Sequence, residues 1–401
     1  MKVLIVHNRY QQRGGEDAVV EAETRLLAAN GVDVQRFNAD NDSIRGFVSK
    51  IQVSAGQFGI PTAAQSGFRS ALSGFHPDLV HVHNWFPTLS PSIFHSCSRA
   101  HIPVVHTLHN YRLLCVNATL FRDGHVCEDC IGTTLRTPGI IHSCYRNSCA
   151  GSAVATAGML AHWSLGTWHG AVDRFIAVSE FARRKLIDGG LPEDKIVVKP
   201  NFIDPDPGPG MGRGGYFLYA GRLTEEKGPR VLIECWKGAP DLPVLKIAGA
   251  GPLQDEIRDA VATLPNVQWL GQKSSAEIID LMRDASALLC PSQWYEGMPR
   301  VVIESLAVGT PVIASCIGCY PEMIVDGDTG ALFPPGDATA LRIRLRDLVL
   351  CGDLGTMRTK ARRCFESNYT GDKNFSLLLN VYRSVHVPGE MVPTRPVPAR
   401  T

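Results

Sequence analysis

This chain of 401 residues carries almost no net charge. Forty Lys and Arg side chains stand against 39 Asp and Glu side chains, so the formal net charge at pH 7 is +1. A protein that binds nucleic acid through its bulk electrostatics needs an excess of positive charge. The composition therefore argues against nucleic acid, or any other polyanion, as a general partner.

Long apolar runs are scarce. The N-terminal sequence MKVLIVHNRY holds one Lys and a short apolar run that ends at His7, far shorter than the core of a signal peptide or a membrane span. The small-residue stretch from Ala150 to Ala161 is followed by His162 and is typical of a packed helix. We therefore expect a cytoplasmic protein.

A segment rich in proline and glycine divides the chain. Residues 205–215, PDPGPGMGRGG, contain three Pro and five Gly, a composition that favours neither helix nor strand and is typical of a hinge. The length also exceeds that of one ordinary hydrophobic core. We expect an N-terminal domain (1–204), a linker (205–215), a C-terminal domain (216–365), a helix that returns to the N-terminal domain (366–390) and a disordered tail (391–401).

Short apolar, β-branched segments alternate with helical patterns on both sides of the hinge. Val3–Val6, Leu79–Val82 and Val104–Leu108 are examples before it, and Tyr216–Ala220 and Ala287–Leu289 follow it. Such alternation predicts α/β domains built on mostly parallel sheets. The sequence thus predicts two doubly wound domains.

Two carboxylates flank a turn that enters a predicted helix. In WYEGMPRVVIES, Glu296 precedes the helix and Glu304 lies about one turn inside it. The turn between them exposes backbone N–H groups at a helix N-terminus, which suits an anionic or hydroxyl-rich ligand. Two surface carboxylates that merely flank a turn are the alternative interpretation.

A pair of cations follows the predicted strand Tyr216–Ala220. In AGRLTEEKG, Arg222 and Lys227 come after the carboxyl end of that strand, where open α/β sheets bind ligands. A guanidinium and an ammonium together can neutralise a diphosphate. Alternatively, both cations are solvated and paired with Glu225 and Glu226.

In combination, these motifs resemble those of the retaining glycosyltransferases of family 4, also called group 1. The segments that carry the resemblance are GRLTEEKG, AGAGP, LLCPSQWYEGMPRVVIES and GTPVIAS, in this order. HVHNWFPTLSPSIF, PVVHTLHNYRLLC and AVSEFARRKL are similar to bacterial members that act in surface polysaccharide assembly, so the resemblance covers nearly the whole chain. It implies the GT-B fold, in which two Rossmann-like domains face each other across a cleft, and a nucleotide-diphospho sugar as donor.

The resemblance also implies roles for individual residues. Arg222 and Lys227 hold the donor diphosphate and stabilise the leaving group, Glu304 binds the ribose hydroxyls, and Glu296 binds hydroxyls of the donor sugar. Because side-chain cations can neutralise the diphosphate, catalysis needs no metal or other cofactor. The remaining donor-binding residues implied are Gly14, Gly15, Gly297, Met298, Pro299 and Arg300.

Histidines follow two predicted strands of the N-terminal half. His109 matches the family histidine that faces the donor sugar, and we expect it to orient a sugar hydroxyl or the reacting centre, whereas His106 is expected in the core. His83 and Asn84 are candidates for contact with the acceptor. Packing at the end of a strand is an equally good explanation for the latter two.

Five of the twelve cysteines fall between positions 115 and 149. Cys127, Cys130, Cys144 and Cys149 have a spacing compatible with a structural zinc site, with Cys115 or His142 as substitutes. Reduced buried thiols are a second interpretation, since free cysteine packs as a small apolar side chain. A disulfide or redox role is a third.

The sequence therefore predicts a retaining hexosyltransferase that uses a nucleotide-diphospho sugar. The expected acceptor is a glycan or lipid-linked glycan of the cell surface, and such an acceptor favours peripheral contact with the inner membrane surface. Two other hypotheses remain: a sugar-nucleotide epimerase or phosphorylase on the same fold, and a noncatalytic sugar-nucleotide binder or scaffold. The donor base, the sugar, the linkage and the oligomeric state are not encoded in any motif that we identified.

Overall fold

The computed structural model describes residues 1–9, 14–40, 58, 62–351 and 353–385. The predicted tail, 391–401, and the last five residues of the predicted helix 366–390 lie outside the described residues. None of the helices in the described part of the chain is long and apolar enough to cross a bilayer.

A six-stranded sheet is formed by the first half of the chain. Its strands are β1 (Lys2–Arg9), β2 (Asp33–Asp40), β3 (Leu79–Asn84), β4 (Val104–Leu108), β7 (Arg174–Ala177) and β8 (Ile196–Val198). Between β4 and β7 in the chain, β5 (Phe121–Arg122) and β6 (His125–Val126) form a separate two-stranded sheet. The order in the six-stranded sheet is β2-β1-β3-β4-β7-β8. The pairings of β1 with β2 and β3, and of β3 with β4, are parallel.

A second six-stranded sheet is formed by the other half. Its strands are β9 (Tyr216–Ala220), β10 (Val244–Ala248), β11 (Val267–Gly271), β12 (Ala287–Cys290), β13 (Val312–Ser315) and β14 (Gly330–Phe333). The order is β11-β10-β9-β12-β13-β14, and every pairing is parallel. Both orders reverse direction beside the first strand of the sheet, which is the doubly wound arrangement.

Helices connect most of these strands. Among the described residues they span Gly15–Ala29, Ala63–Phe75, Ser92–Arg99, Thr137–Ile141, Cys149–Ser164, Thr167–Gly170, Glu180–Asp188, Pro229–Trp236, Gln254–Val261, Ser275–Asp284, Arg300–Ala307, Tyr320–Met323, Ala338–Cys351, Leu354–Asn368 and Gly371–Val385.

Apolar residues occupy both faces of the central strands. In β1, Val3, Leu4, Ile5 and Val6 are fully buried, as expected for a strand that helices cover on both sides. The second sheet likewise separates two apolar clusters, one containing Phe217 and the other Leu218. Adjacent residues of β9 thus face opposite layers, which is the alternation of a strand.

The described chain forms two compact units. One consists of the described residues of Met1–Thr107, His162–Phe175 and Leu377–Thr401, and the other of Leu108–Ala161 and Ile176–Ser376. The predicted α/β alternation and doubly wound sheets are confirmed, whereas the domain limits and the hinge at 205–215 stay predictions. Four short strands, β5, β6, β8 and β14, were not anticipated, because runs of two to four residues carry little periodic signal.

His106 lies in the apolar core of the first unit, as predicted. It is 3% exposed and packs against the rings of Phe94 and Phe175, with centroids 5.2 and 6.0 Å away. Burial, with a smaller contribution from the charge of His83, lowers the pKa of His106 to about 3. His106 is therefore neutral in the folded protein near neutral pH.

We expect His106→Phe to reduce the loss of stability in mild acid. Between pH 6.5 and 3 the unfolded chain binds a proton at His106 that the folded chain does not bind, so this contribution to stability is present above pH 6.5 and is lost as the pH falls. The slopes of unfolding free energy against pH, from urea titrations at pH 7, 6 and 5, should differ by up to about 1.4 kcal/mol per pH unit. Parallel slopes for the two proteins would contradict the assignment.

Candidate active site

Two neighbouring parallel strands place the predicted donor motifs side by side. In the second sheet, β9 pairs with β12 through Phe217 opposite Ala287 and Leu218 opposite Leu288. The segment that contains Arg222 and Lys227 follows β9, and the loop that contains Glu296 follows β12. Because the carboxyl ends of parallel strands meet at one edge of a sheet, the two segments lie together.

Lys227 and Glu296 form an ion pair at this edge. The Lys227 Nζ lies 2.5 Å from Glu296 Oε1, and Glu296 is only 5% exposed. The Ser292 hydroxyl donates to the same carboxylate oxygen at 3.1 Å and lies 2.9 Å from the Tyr320 hydroxyl. No hydrogen bond from a described residue reaches the second oxygen, Oε2, so that atom can still accept a bond from a ligand.

Ser292 and Tyr320 are site residues that our reasoning from the sequence did not identify. Both are almost fully buried, and Tyr320 belongs to a short helix that follows β13 rather than to either donor motif. A serine four residues before a glutamate in a loop carries no distinctive pattern. The tertiary structure alone assigns these two residues to Glu296.

Glycines permit close approach between the loops at the ends of the strands. Gly228 has φ +66°, and a Cβ on it would lie 2.0 Å from the Pro291 carbonyl oxygen. A Cβ on Gly249 would lie 1.9 Å from the Gly221 carbonyl oxygen. No side chain can occupy such gaps, which explains Gly228 of GRLTEEKG and Gly249 of AGAGP physically.

Arg222 projects into solvent from a fixed backbone. The buried Tyr219 donates its hydroxyl proton to the Arg222 carbonyl oxygen at 2.7 Å. The guanidinium is 65% exposed and lies 3.8 Å from the Glu226 carboxylate. The ion pairing predicted with Glu226 is therefore present for Arg222, whereas Lys227 contacts Glu296 instead.

Glu304 lies on the helix Arg300–Ala307, paired with a cation from the same helix. The Arg300 guanidinium donates to Glu304 Oε1 at 3.2 Å, a contact that the four-residue spacing on a helix allows. Both side chains are about one-fifth exposed. The charge of Arg300 thus neutralises Glu304, and donor binding by Arg300 stays a prediction.

The turn Gly297–Met298–Pro299 is held from two directions. A Cβ on Gly297 would lie 3.1 Å from the backbone oxygen of His109, so the structure places His109 beside this turn. Asn201, which the sequence analysis did not single out, donates its side-chain amide to the Met298 carbonyl at 2.9 Å and its backbone N–H to the Met298 sulfur at 3.1 Å.

Tyr295 connects the turn to the cysteine-rich segment. Its ring packs on Phe181 with centroids 4.6 Å apart. Burial, and to a smaller extent the Glu128 carboxylate, raises the pKa of Tyr295 to about 12. Lys185 donates to Glu128 at 3.0 Å, so Glu128 contacts both the turn that carries Glu296 and the helix Glu180–Asp188.

The predicted acceptor-side residues are buried in the first unit. His83 is 3% exposed, with Nε2 3.2 Å from Glu23 Oε2. Asn84 is 7% exposed, donates to the Asn8 carbonyl at 2.8 Å and accepts from the Phe86 N–H at 2.9 Å. These contacts fit packing at a strand end, and contact with an acceptor stays a prediction.

Gly14 and Gly15 begin the first helix of this unit. The Gly14 N–H donates to the Asp17 carboxylate at 2.8 Å, and Asp17 lies 2.8 Å from His7 Nε2. The start of the helix Gly15–Ala29 is thus tied to β1. Donor binding by these glycines stays a prediction.

Glu23, His81 and His83 bring potential metal-ligand atoms within 4.8 Å of one another. His81, however, already bonds the Tyr382 hydroxyl through Nδ1 at 2.8 Å and the Thr107 hydroxyl through Nε2 at 2.7 Å. Glu23 and His83 are themselves close enough for an ion pair. These contacts describe a buried polar cluster without any need for a metal ion.

The cysteine cluster lies in the second unit as free thiols. Cys115, Cys127 and Cys144 interact electrostatically with Cys130, whose pKa is raised to about 11, mainly by burial. Cys149, by contrast, is exposed. Among the described residues, no three of these sulfur atoms lie within 4.8 Å of one another, so a zinc ion would require side-chain rotation.

Family models match both halves of the chain. The model of the family 4 glycosyltransferases matches residues 13–207, and the model of the group 1 glycosyl transferases matches residues 211–365. The chain belongs to the family 4, group 1 glycosyltransferases. The resemblance inferred from the motifs is confirmed.

Similar proteins match part of the chain. Phosphatidyl-myo-inositol mannosyltransferase of Mycobacterium leprae is 30% identical over 241 residues, 57% of this chain and 63% of that protein. The putative colanic acid biosynthesis glycosyltransferase WcaL of Escherichia coli is 30% identical over 189 residues, 43% of this chain and 47% of that protein. The alignments thus span less than two-thirds of these relatives.

Solved structures share the GT-B fold over nearly the full chain. HepE of Anabaena, crystallised with UDP, has a TM-score of 0.67 at 15% identity and covers 96% of this chain and 100% of its own. Sucrose-phosphate synthase of Thermosynechococcus elongatus has a TM-score of 0.70 at 16% identity, with coverages of 96% and 98%. The predicted fold class, two doubly wound Rossmann-like domains, is confirmed.

The zinc hypothesis predicts one zinc ion per chain, measurable by mass spectrometry of purified protein. We expect Cys130→Ser to lose the metal, because Cys130 is buried beside the other thiols of the cluster. Cys149→Ser should retain it if Cys115 completes the ligand set, and Cys235→Ser, a buried cysteine elsewhere, serves as the control. Zinc-free wild-type protein with every thiol titratable after unfolding would favour reduced buried thiols instead.

Proposed function

We propose that this chain is a retaining glycosyltransferase that moves a hexosyl group from a nucleotide-diphospho sugar to a glycan or lipid-linked glycan. The observation that carries the proposal is the ion pair between Lys227 and Glu296 at the carboxyl ends of β9 and β12. It unites the two most informative motifs at the edge of the sheet where such folds bind ligands.

The two cations, Arg222 and Lys227, bind the diphosphate of the donor. Arg222 has an exposed guanidinium on a fixed backbone, so it can fold onto a phosphate with two parallel hydrogen bonds. Lys227, held at Glu296, adds a point charge. Together they stabilise the negative charge that grows on the leaving nucleoside diphosphate.

The two acids, Glu296 and Glu304, bind hydroxyl groups of the donor. Glu296 Oε1 is occupied by Lys227 and Ser292, which leaves Oε2 for a hydroxyl of the transferred sugar. Glu304, on the following helix, takes the ribose hydroxyls, with Arg300 fixing its orientation. His109, beside Gly297, orients the sugar from the other side of the turn.

The transfer itself needs no protein nucleophile. The bond between the anomeric carbon and the phosphate oxygen breaks, and the acceptor oxygen bonds to the same face of that carbon. The acceptor hydroxyl gives its proton to the departing phosphate oxygen, so the products are the glycoside and the nucleoside diphosphate. Retention follows because nucleophile and leaving group share one face.

We propose that the reaction is independent of metal ions, since Arg222 and Lys227 supply the positive charge. Two Asp-x-Asp triplets of the described chain offer little to a divalent ion, because Asp206 is paired with Arg362 and Asp328 with Lys360. The hydrogen bond from Arg362 is the main reason that the pKa of Asp206 lies below its ordinary value.

Similar proteins suggest where to look for the substrates. HepE was crystallised with UDP-glucose, so uridine nucleotides are the first donors to test, and the relation to WcaL favours a surface polysaccharide as the product. We further propose a cytoplasmic location with peripheral contact at the inner membrane surface, because a lipid-linked acceptor lies there.

The decisive experiment is a donor panel. UDP-glucose, UDP-galactose and GDP-mannose are incubated with the protein and a glycan acceptor, with and without EDTA, and release of nucleoside diphosphate, free sugar and glycoside is measured. A bound donor also raises Tm by mass action. Turnover that survives EDTA, with the anomeric configuration of the donor kept in a glycoside product, supports the proposal; epimerised donor, or binding without turnover, would favour the alternatives.

Substitution of the two acids should separate turnover from binding. We expect Glu296→Gln to lower kcat about 100-fold, because this carboxylate faces the reacting sugar. Glu304→Ala should weaken donor binding about 10-fold through the ribose.

Asp241→Ala removes an exposed ion pair with Arg346 in the same unit and is the matched control. Both active-site variants and the control are compared by steady-state kinetics and by titration with the donor. Wild-type kinetics in Glu296→Gln and Glu304→Ala would refute the assignment of the site.

A further inference from the structure

Tyr111 buries a hydroxyl group that has no hydrogen-bond partner among the described residues. The residue is 3% exposed, and its phenolic oxygen is shielded from solvent. Its backbone is fixed, since its N–H donates to the Ala118 carbonyl at 3.1 Å and its carbonyl accepts from the Cys115 N–H at 2.8 Å. The side chain therefore points into its surroundings from a well-defined turn.

Three other buried tyrosines of the described chain bond their hydroxyls. Tyr216 donates to the Leu281 carbonyl at 2.8 Å, Tyr219 donates to the Arg222 carbonyl at 2.7 Å, and the Tyr320 hydroxyl lies 2.9 Å from that of Ser292. A buried hydroxyl without a partner has lost its hydration and gained nothing in return. Tyr111 differs from these three tyrosines and is open to a bond from a ligand.

The turn that carries Glu296 interacts electrostatically with this hydroxyl. Besides burial, the groups that raise the pKa of Tyr111 are Cys319, Glu296, Tyr295 and Glu322. The phenol therefore keeps its proton and is a hydrogen-bond donor. His109, two residues earlier in the chain, brings its backbone oxygen beside Gly297 in the same turn.

The two open bonding positions at this turn are complementary. Tyr111 offers a proton, and Glu296 Oε2 accepts one without receiving a bond from any described residue. A sugar hydroxyl both donates and accepts hydrogen bonds, so one such group can bridge a phenol and a carboxylate. A phosphate, which only accepts, would be repelled by Glu296.

We infer that the Tyr111 hydroxyl binds a hydroxyl group of the transferred sugar, which in turn donates to Glu296. The inference rests on the proposed function and extends it, since it adds a sugar-selective contact from the segment that follows β4. Because the hydroxyl is shielded from solvent in this structure, the side chains packed around it must shift as the sugar enters.

The test is Tyr111→Phe, which removes only the hydroxyl. The donor of UDP-glucose, UDP-galactose and GDP-mannose that wild-type protein turns over fastest is compared with its own nucleoside diphosphate. We expect an unchanged or higher Tm without ligand, unchanged affinity for the nucleoside diphosphate, and a kcat/KM for the nucleotide sugar lower by about 10-fold.

Tyr216→Phe is the matched control. Tyr216 lies at the amino end of β9, and its hydroxyl donates to the Leu281 carbonyl. This variant should lose Tm while its kcat/KM stays at the wild-type value. The opposite patterns in the two variants separate a sugar contact from a contribution to folding.

Two outcomes overturn the inference in distinguishable ways. If Tyr111→Phe lowers Tm and leaves kcat/KM unchanged, the hydroxyl has a structural partner and the inference fails while the proposed function stands. If wild-type protein neither binds nor turns over any nucleotide sugar of the panel, the proposed function fails, and the sugar contact with it.

Discussion

The ion pair between Lys227 and Glu296 depends on the parallel pairing of β9 with β12. Parallel strands deliver the loops at their carboxyl ends to one edge of the sheet, and here those loops place an ammonium 2.5 Å from a carboxylate that is 5% exposed. A charge buried to this degree is tolerated because its partner and the Ser292 hydroxyl replace its hydration. Removing either partner leaves the other charge without compensation.

Backbone contacts fix the loops that carry this pair. The Gln293 N–H donates to the Glu226 carbonyl at 2.8 Å, so the two donor motifs are hydrogen-bonded to each other. Gly228 and Gly318 occupy positive φ values where a side chain would meet the backbone of the neighbouring loop. The geometry of the charged groups is thus set by main-chain packing, which leaves Arg222 as the adjustable cation.

The ends of the strands in the first unit are built differently. There, polar side chains at the end of β3 turn inward: His83 lies 3.2 Å from Glu23, and His81 is bonded to Tyr382 and Thr107. A buried network of this kind is stable only when its members are satisfied. The network joins the helix Gly15–Ala29 to the helix Gly371–Val385. From the sequence alone, its histidines resemble exposed ligand-binding residues.

Much of the fold was predictable from local pattern, because buried parallel strands leave uninterrupted apolar runs such as Val3–Val6. The motif residues Arg222, Lys227, Glu296 and Glu304 were also recognisable, since strand, turn and helix N-terminus each impose their own residue types. The pairing of Arg300 with Glu304 was within reach of sequence reasoning, because a four-residue spacing on a helix implies contact. Tyr111 and Asn201 were not, because neither belongs to a donor motif.

The sequence by itself determined the alternation of strands and helices, the family and the charged residues that follow β9 and β12, because local propensity and residue order encode them. Only the tertiary structure decided that Lys227 bonds Glu296 rather than Glu226, and that His83 and Asn84 are buried. It also decided that the Tyr111 hydroxyl is left without a partner. The distances between residues far apart in the chain, and the burial of each residue, arise from the packing of the whole chain. No single segment determines that packing.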